Sequence, residues 1–280
     1  MLSGLTFARP PAASVSAPRA HADADLQRRL DAVAASLGPG RFSAAVVDLA
    51  TGASGSVDAD RAWPAASLFK LPILVEVLAQ VDARRLDADQ RLPIRPEDWT
   101  DGSGVLQARV GERISVRELT RLMIQESDNI AALVLLDAVG VSAVNATSEG
   151  LGLHATRLVD HRAGQSGDHT TSAADMARLL VLLATGQAIN PHVSEEALKL
   201  LELKQTFTWL GEDLPFWAKI AHKWGDLPDT RNDAGLVFTP RGSYVAVVLT
   251  QDAPPEDSAG AIGRASRATY EYLGARAQPR

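Results

Sequence analysis

The first regular pattern along the chain is an amphipathic stretch from Asp23 to Leu37, followed by "FSAAVVDLATGASGSVDAD" (42–60), whose apolar runs flank a Thr51-Gly52 turn and predict a β-hairpin. From Ser67 the pattern changes. "SLFKLPILVEVLAQV" is apolar nearly all round, which predicts a helix buried in the middle of the protein. Pro72 lacks a backbone donor and fits only near a helix start, so Ser67 falls at an N-terminus, where free N–H groups and the positive dipole end face outward. "SVRELTRLMIQ" (115–125) and "SAADMARLLVLLATG" (172–186) open with Ser115/Glu118 and Ser172/Asp175 in capping-box spacing and predict two more helices. Strand patterning returns in "FWAKIAHKWG", "DAGLVFTP" and "GSYVAVVLTQD", the last two joined by the turn Pro240-Arg241-Gly242, and a helix over about 259–275 closes the chain.

Strands near both ends with helices between them predict an α/β (α+β) fold: an antiparallel sheet built from both termini with flanking helices, and an inserted all-α domain. The expected division is 22–62 with 206–280 for the α/β domain and 63–205 for the α domain, with the active site in the cleft between them. Residues 1–21, rich in Ala, Pro and Ser, read as a flexible tail.

Composition narrows the function classes. The 280 residues carry a net charge of -6 and no run of Lys or Arg, which argues against nucleic-acid or membrane-surface partners and for a small-molecule or peptide ligand. The absence of cysteine excludes disulfides, thiolate zinc sites and a cysteine nucleophile. No metal or cofactor is expected, and the expected state is a monomer. The start lacks the basic and apolar regions of a secretory signal, and nothing downstream is long enough to span a bilayer. The compartment is therefore open: periplasmic or secreted if a signal was removed, otherwise cytoplasmic.

Only five basic residues are lysine (70, 199, 204, 219 and 223) against 23 arginines, so ordinary surface charge in this chain is written as arginine. A lysine can shift its pKa on burial and act as a base; an arginine cannot. Lys70 stands three residues after Ser67, one helical turn further on and facing the same side. Ser-x-x-Lys alone is a weak signal, since a cap followed by a solvated lysine reads the same way. It is joined by "SDN" at 127–129, between two helical stretches, and by "HKWG" at 222–225, on an apolar strand entering a turn.

Taken in that order, the three motifs resemble the Ser-x-x-Lys, Ser-Asp-Asn and Lys-Thr-Gly set of class A β-lactamases and penicillin-binding proteins, with Trp224 in place of Thr. "DGSGVLQ", "SVRELTRLMIQESDNIAALVLL", "LGLHATRL", "TTSAADMARLL" and "TRNDAGLVF" extend the resemblance over about residues 42–275. It implies a β-lactamase/transpeptidase-like fold and an acyl-enzyme on Ser67, with Lys70 as base. Ser127 would relay a proton to the leaving nitrogen, helped by Lys223. Asn129 would bind the substrate amide, Arg231 the substrate carboxylate, and the backbone N–H groups of Ser67 and Asp226 the oxyanion. Asp128 reads as structural, and His222 as a packed or solvated neighbour.

Two departures bear on function. Eleven residues, "VDHRAGQSGDH", separate Leu158 from Thr170, fewer than in the family, and none is the glutamate that activates the deacylating water. Asp160, His161, Asp168 and His169 are the acid or imidazole groups available, and Asp160 and His161 are the candidate substitutes. Trp224 replaces a hydroxyl that helps bind a carboxylate, and is expected to face the cleft and broaden the substrate range towards simple esters. Three functions compete: a β-lactamase-like hydrolase with slow deacylation, an esterase or D-Ala-type peptidase, and a silent protein that captures β-lactams or peptidoglycan fragments.

Overall fold

The structure, a computed structural model, describes residues 18–275. In chain order its elements are β1 (His21–Ala22), α1 (Ala24–Ser36), β2 (Arg41–Asp48), β3 (Ala53–Val57), β4 (Trp63–Pro64), α2 (Lys70–Asp82), β5 (Arg91–Pro93), β6 (Arg113–Ser115), α3 (Val116–Gln125), α4 (Asn129–Val139), α5 (Val141–Gly150), β7 (Thr170–Thr171), α6 (Ala173–Ala184), α7 (Pro191–Leu201), α8 (Trp209–Glu212), β8 (Lys219–Leu227), β9 (Thr230–Thr239), β10 (Gly242–Gln251) and α9 (Pro255–Ala275). Of the expected tail, residues 1–17 lie outside the described residues, and His21–Ala22 pair with β3 as a short strand instead.

Six strands form one sheet in the order β1-β3-β2-β10-β9-β8, antiparallel throughout except for the β1–β3 pair. N-terminal β2 lies beside C-terminal β10, so the sheet is built from both ends of the chain. The run "GSYVAVVLTQ" of β10 is almost wholly buried, because this strand is central and covered on both faces. Alternate residues serve different cores: Tyr244, Ala246 and Val248 join Leu26, Leu30 and Ile262 of α1 and α9, while Val245, Val247 and Leu249 join Leu68, Leu74 and Leu180 on the other side. That second core runs from the sheet through α2, α3, α4, α6 and α7 without a break. We propose 22–62 with 206–280, and 63–205, as the division of the chain.

Local signals explain the element ends. Gly52 (φ 82°) makes the β2–β3 turn and Gly242 (φ 137°) follows the β9–β10 turn. Ser115 and Ser172 cap α3 and α6 by accepting from the N–H groups of Glu118 (3.3 Å) and Asp175 (3.1 Å). Glu118 pairs with Arg121. Among the described residues, no single helix is long and apolar enough to cross a membrane.

Candidate active site

Ser67 lies in a single 3-10 turn, Ala66–Phe69, that runs straight into α2. Its predecessor Ala66 sits at φ 44°, a left-handed conformation that costs a non-glycine residue energy and must be held by the surrounding packing. Strand β8, at the edge of the sheet, passes close beside this turn, and Gly225 permits the approach: a Cβ there would lie 2.9 Å from the Ser67 nitrogen and 3.0 Å from the Ala66 Cβ. Lys223 and Gly225 lie on the strand face turned to the turn and to α4, as the period of two requires.

Lys70 is fully buried. Its Nζ lies 3.1 Å from Ser67 Oγ, 3.1 Å from Ser127 Oγ and 2.7 Å from Asn129 Oδ1, and it also donates to the Ser127 carbonyl. Burial lowers its pKa to about 7, against an opposing pull from the Asp128 carboxylate. Lys223 is equally buried, with Nζ 3.0 Å from Ser127 Oγ and 2.7 Å from the Trp224 carbonyl. Burial, and then repulsion by Lys70, holds its pKa well below the ordinary lysine value. The Ser127 hydroxyl thus sits between two amines, on a residue at φ 53°.

Asp128 holds that strained turn together. One carboxylate oxygen caps α4 by accepting from Ala131 N–H (2.8 Å), and the other accepts from Val105 (2.6 Å) and Leu106 (2.9 Å). Asn129 Nδ2 donates to the Asp101 carbonyl at 3.1 Å. A cavity of about 380 Å³ opens over Ser67, lined among others by Phe69, Asn129, His161, His169 and Asp226.

The loop on the far side of this cavity has its neck closed by the Arg157–Thr170 bridge, and β7 pairs with β4 just before the nucleophile turn. Asp175 adds a second clasp by accepting from Ala155 N–H and the Thr156 hydroxyl. Inside the loop Asp160 caps its own turn, accepting from Ala163 N–H at 2.9 Å, and it does not line the cavity. His161 does. So does His169, whose ring packs 4.4 Å from Phe69 and 5.3 Å from His161, centroid to centroid. Sequence reasoning named His169 as available but did not single it out, because its place against Phe69 depends on the neck closure.

Trp224 is a correction. It does not line the cavity; it points to the opposite face of β8, 3% exposed, with Trp209 at 6.0 Å and Phe207 at 4.9 Å. Its Nε1 has no hydrogen-bond partner among the described residues, and its side chain reaches the site through its ring, 4.5 Å from Lys223 Nζ, beside the bond that its backbone carbonyl accepts from the same amine. Strand alternation forces this, since Lys223 takes the cleft-facing position. Arg231 also differs from the expectation: opposite Asp226 in the β8–β9 register, it pairs with that carboxylate and donates to the Leu227 and Thr230 carbonyls. His222 is buried and bonded through Nδ1 to Asp233 (2.8 Å), whose other oxygen accepts from Leu210 N–H, so it packs β8 to β9 and α8.

With this geometry in place, comparison with known proteins is decisive on ancestry. The model of the β-lactamase enzyme family matches residues 25–273. The chain belongs to that family. Among relatives, the β-lactamase of Rhodobacter capsulatus is 31% identical over 235 residues (77% of each chain), and β-lactamase L2 of Stenotrophomonas maltophilia is 29% identical over 251 residues (82% of this chain, 77% of that protein). Among solved structures, PBP-A superposes with a TM-score of 0.85 at 28% identity, covering 92% of this chain and 99% of its own. A mutant of PBP-A, solved as an acyl-enzyme complex with penicillin G, matches at 0.85 and 29% identity, covering 91% and 98%. The class A β-lactamase/PBP-like family is one of serine hydrolases, and the mixed sheet-and-helix fold described above matches its architecture.

Proposed function

We propose that this protein is a β-lactamase-like serine hydrolase that forms an acyl-enzyme on Ser67 and releases it slowly. The observation that carries the reading is the contact of Ser67 Oγ with a buried Lys70 amine whose pKa lies at about 7. A neutral Lys70 takes the hydroxyl proton as Oγ attacks the carbonyl carbon, and the oxyanion is held by the N–H groups of Ser67 and Asp226. The C–N bond then breaks. Ser127 protonates the leaving nitrogen and recovers a proton from the amines on either side of it.

A second reading, an esterase on the same machinery, is favoured by Arg231. Its guanidinium is engaged by Asp226, so a substrate without a carboxylate at that point loses nothing. Intact-mass spectrometry with penicillin G and with an uncharged activated ester tests both. A persistent penicillin adduct on Ser67 supports the first reading, and rapid turnover of the ester alone supports the second. Absence of any adduct or turnover with either compound rejects both.

A further inference from the structure

The loop offers two imidazoles to the Ser67 cavity, and their hydrogen bonds fix opposite proton positions. Val159 N–H donates to His169 Nδ1 at 3.0 Å, and a backbone N–H can only donate. His169 is therefore unprotonated at Nδ1 and carries its hydrogen on Nε2. His161 Nδ1 lies 3.3 Å from the Gln165 carbonyl, which can only accept, so His161 carries its hydrogen on Nδ1 and keeps a lone pair on Nε2. The ring centroids lie 5.3 Å apart, tilted by 51°, and both rings line the cavity over Ser67. Phe69, two residues from the nucleophile, backs the His169 ring at 4.4 Å and ties the pair to the Ser67 turn.

We propose that this pair takes the place of a loop carboxylate in deacylation: His161 Nε2 is the general base for the attacking water, and the Nε2–H of His169 is the donor that orients it. The inference rests on the acyl-enzyme reading. The water oxygen bonds to the acyl carbon while one of its protons passes to His161 Nε2. The bond from the acyl carbon to Ser67 Oγ then breaks, and Oγ takes up the proton that His161 received. The product carboxylic acid loses its remaining proton to solvent, leaving a free carboxylate and a neutral His161. His169 cannot be the base, because its available nitrogen is already protonated; burial, then His161, lowers its pKa to about 4 and keeps it in that donor form at neutral pH. Asp160 does not line the cavity, and its carboxylate serves the loop's own turn by accepting from Ala163 N–H.

The test separates acylation from deacylation by intact-mass time courses with penicillin G. His161→Gln removes the base and is expected to slow deacylation at least tenfold with acylation within threefold of the parent. His169→Asn keeps an acceptor in the Nδ1 position for Val159 N–H but has no group at Nε2, so it should slow deacylation by a similar factor with an unchanged melting temperature. His169→Gln restores a donor at that reach and should recover part of the rate. If His169→Asn deacylates at the parental rate, His169 is only a strut of the loop and the proposal falls. If His161→Gln does so, the base lies elsewhere and it falls as well. Both results leave the acyl-enzyme reading intact, whereas failure of the parent protein to form any adduct removes that reading and this inference with it.

Discussion

A lysine removes a proton at neutral pH only where burial has made its charged form unfavourable, and Lys70 meets that condition while still reaching Ser67 Oγ. Ser67→Ala and Lys70→Arg should each abolish covalent labelling, since the first lacks the nucleophile and the second carries a group that stays protonated; an adduct on folded Ser67→Ala would show that another residue is acylated. Acylation by the parent should rise with pH through a midpoint near 7, the value at which Lys70 loses its proton. A rate flat from pH 5 to 9 would rule out Lys70 as the base. Trp224 leads the other way. Buried against Trp209 and Phe207, it gives Trp224→Thr a cavity instead of a carboxylate ligand, at a cost of roughly 3 to 5 kcal/mol by denaturant unfolding. The ratio of acylation rates on penicillin G and a neutral ester should stay flat. Ser67 and Lys70 were legible in the sequence because a helical turn fixes their relation locally; Trp224 was not, because its direction depends on which residue of β8 takes the cleft face.

At the scale of elements, the site is a meeting of one turn, one strand and one loop, and the strand sets the tightest tolerance. Gly225 brings β8 to within van der Waals contact of the Ser67 turn, and a methyl group there meets backbone, which cannot swing aside. Gly225→Ala should therefore push β8 away from Ser67 N–H and lower acylation by at least tenfold while the fold survives, as judged by circular dichroism and single-turnover kinetics. An unchanged rate would mean that β8 does not form part of the oxyanion site. Helix caps and hairpin turns were readable from sequence because each is a bond within a few residues, as Ser172 and Gly52 show. The loop was readable only in length and content. Its His169–Phe69 packing and the Arg231–Asp226 pairing join residues far apart or on different strands, and no local pattern encodes which partner a guanidinium or an imidazole will find.

For the whole molecule, the two buried amines lie where the sheet and the helical layer meet, so their protonation is linked to global folding. The sign follows from the direction of the shift: folded Lys70 has a pKa near 7 against an ordinary 10.5, so between those values the unfolded chain binds a proton that the folded one does not. Stability from this group is therefore fully present above about pH 10.5 and is lost progressively as pH falls towards 7. Lys223 shifts in the same direction. One proton per pH unit corresponds to about 1.4 kcal/mol, so Lys70 alone should make the parent roughly 2 kcal/mol more stable at pH 9 than at pH 7, other groups aside. Lys70→Met removes that term. It also takes the Lys70 donor from the Ser127 carbonyl and Asn129 Oδ1, so its absolute stability mixes two effects, but the missing donor is absent at every pH and cancels from the slope. Relief of repulsion on Lys223 raises that lysine's pKa and flattens the slope further. Urea unfolding of both proteins at pH 7 and 9 should therefore show the parent gaining on Lys70→Met by roughly 2 kcal/mol or more across that interval. Parallel pH dependences would mean that folded Lys70 keeps its proton, and the base in the proposed acylation would have to be sought elsewhere.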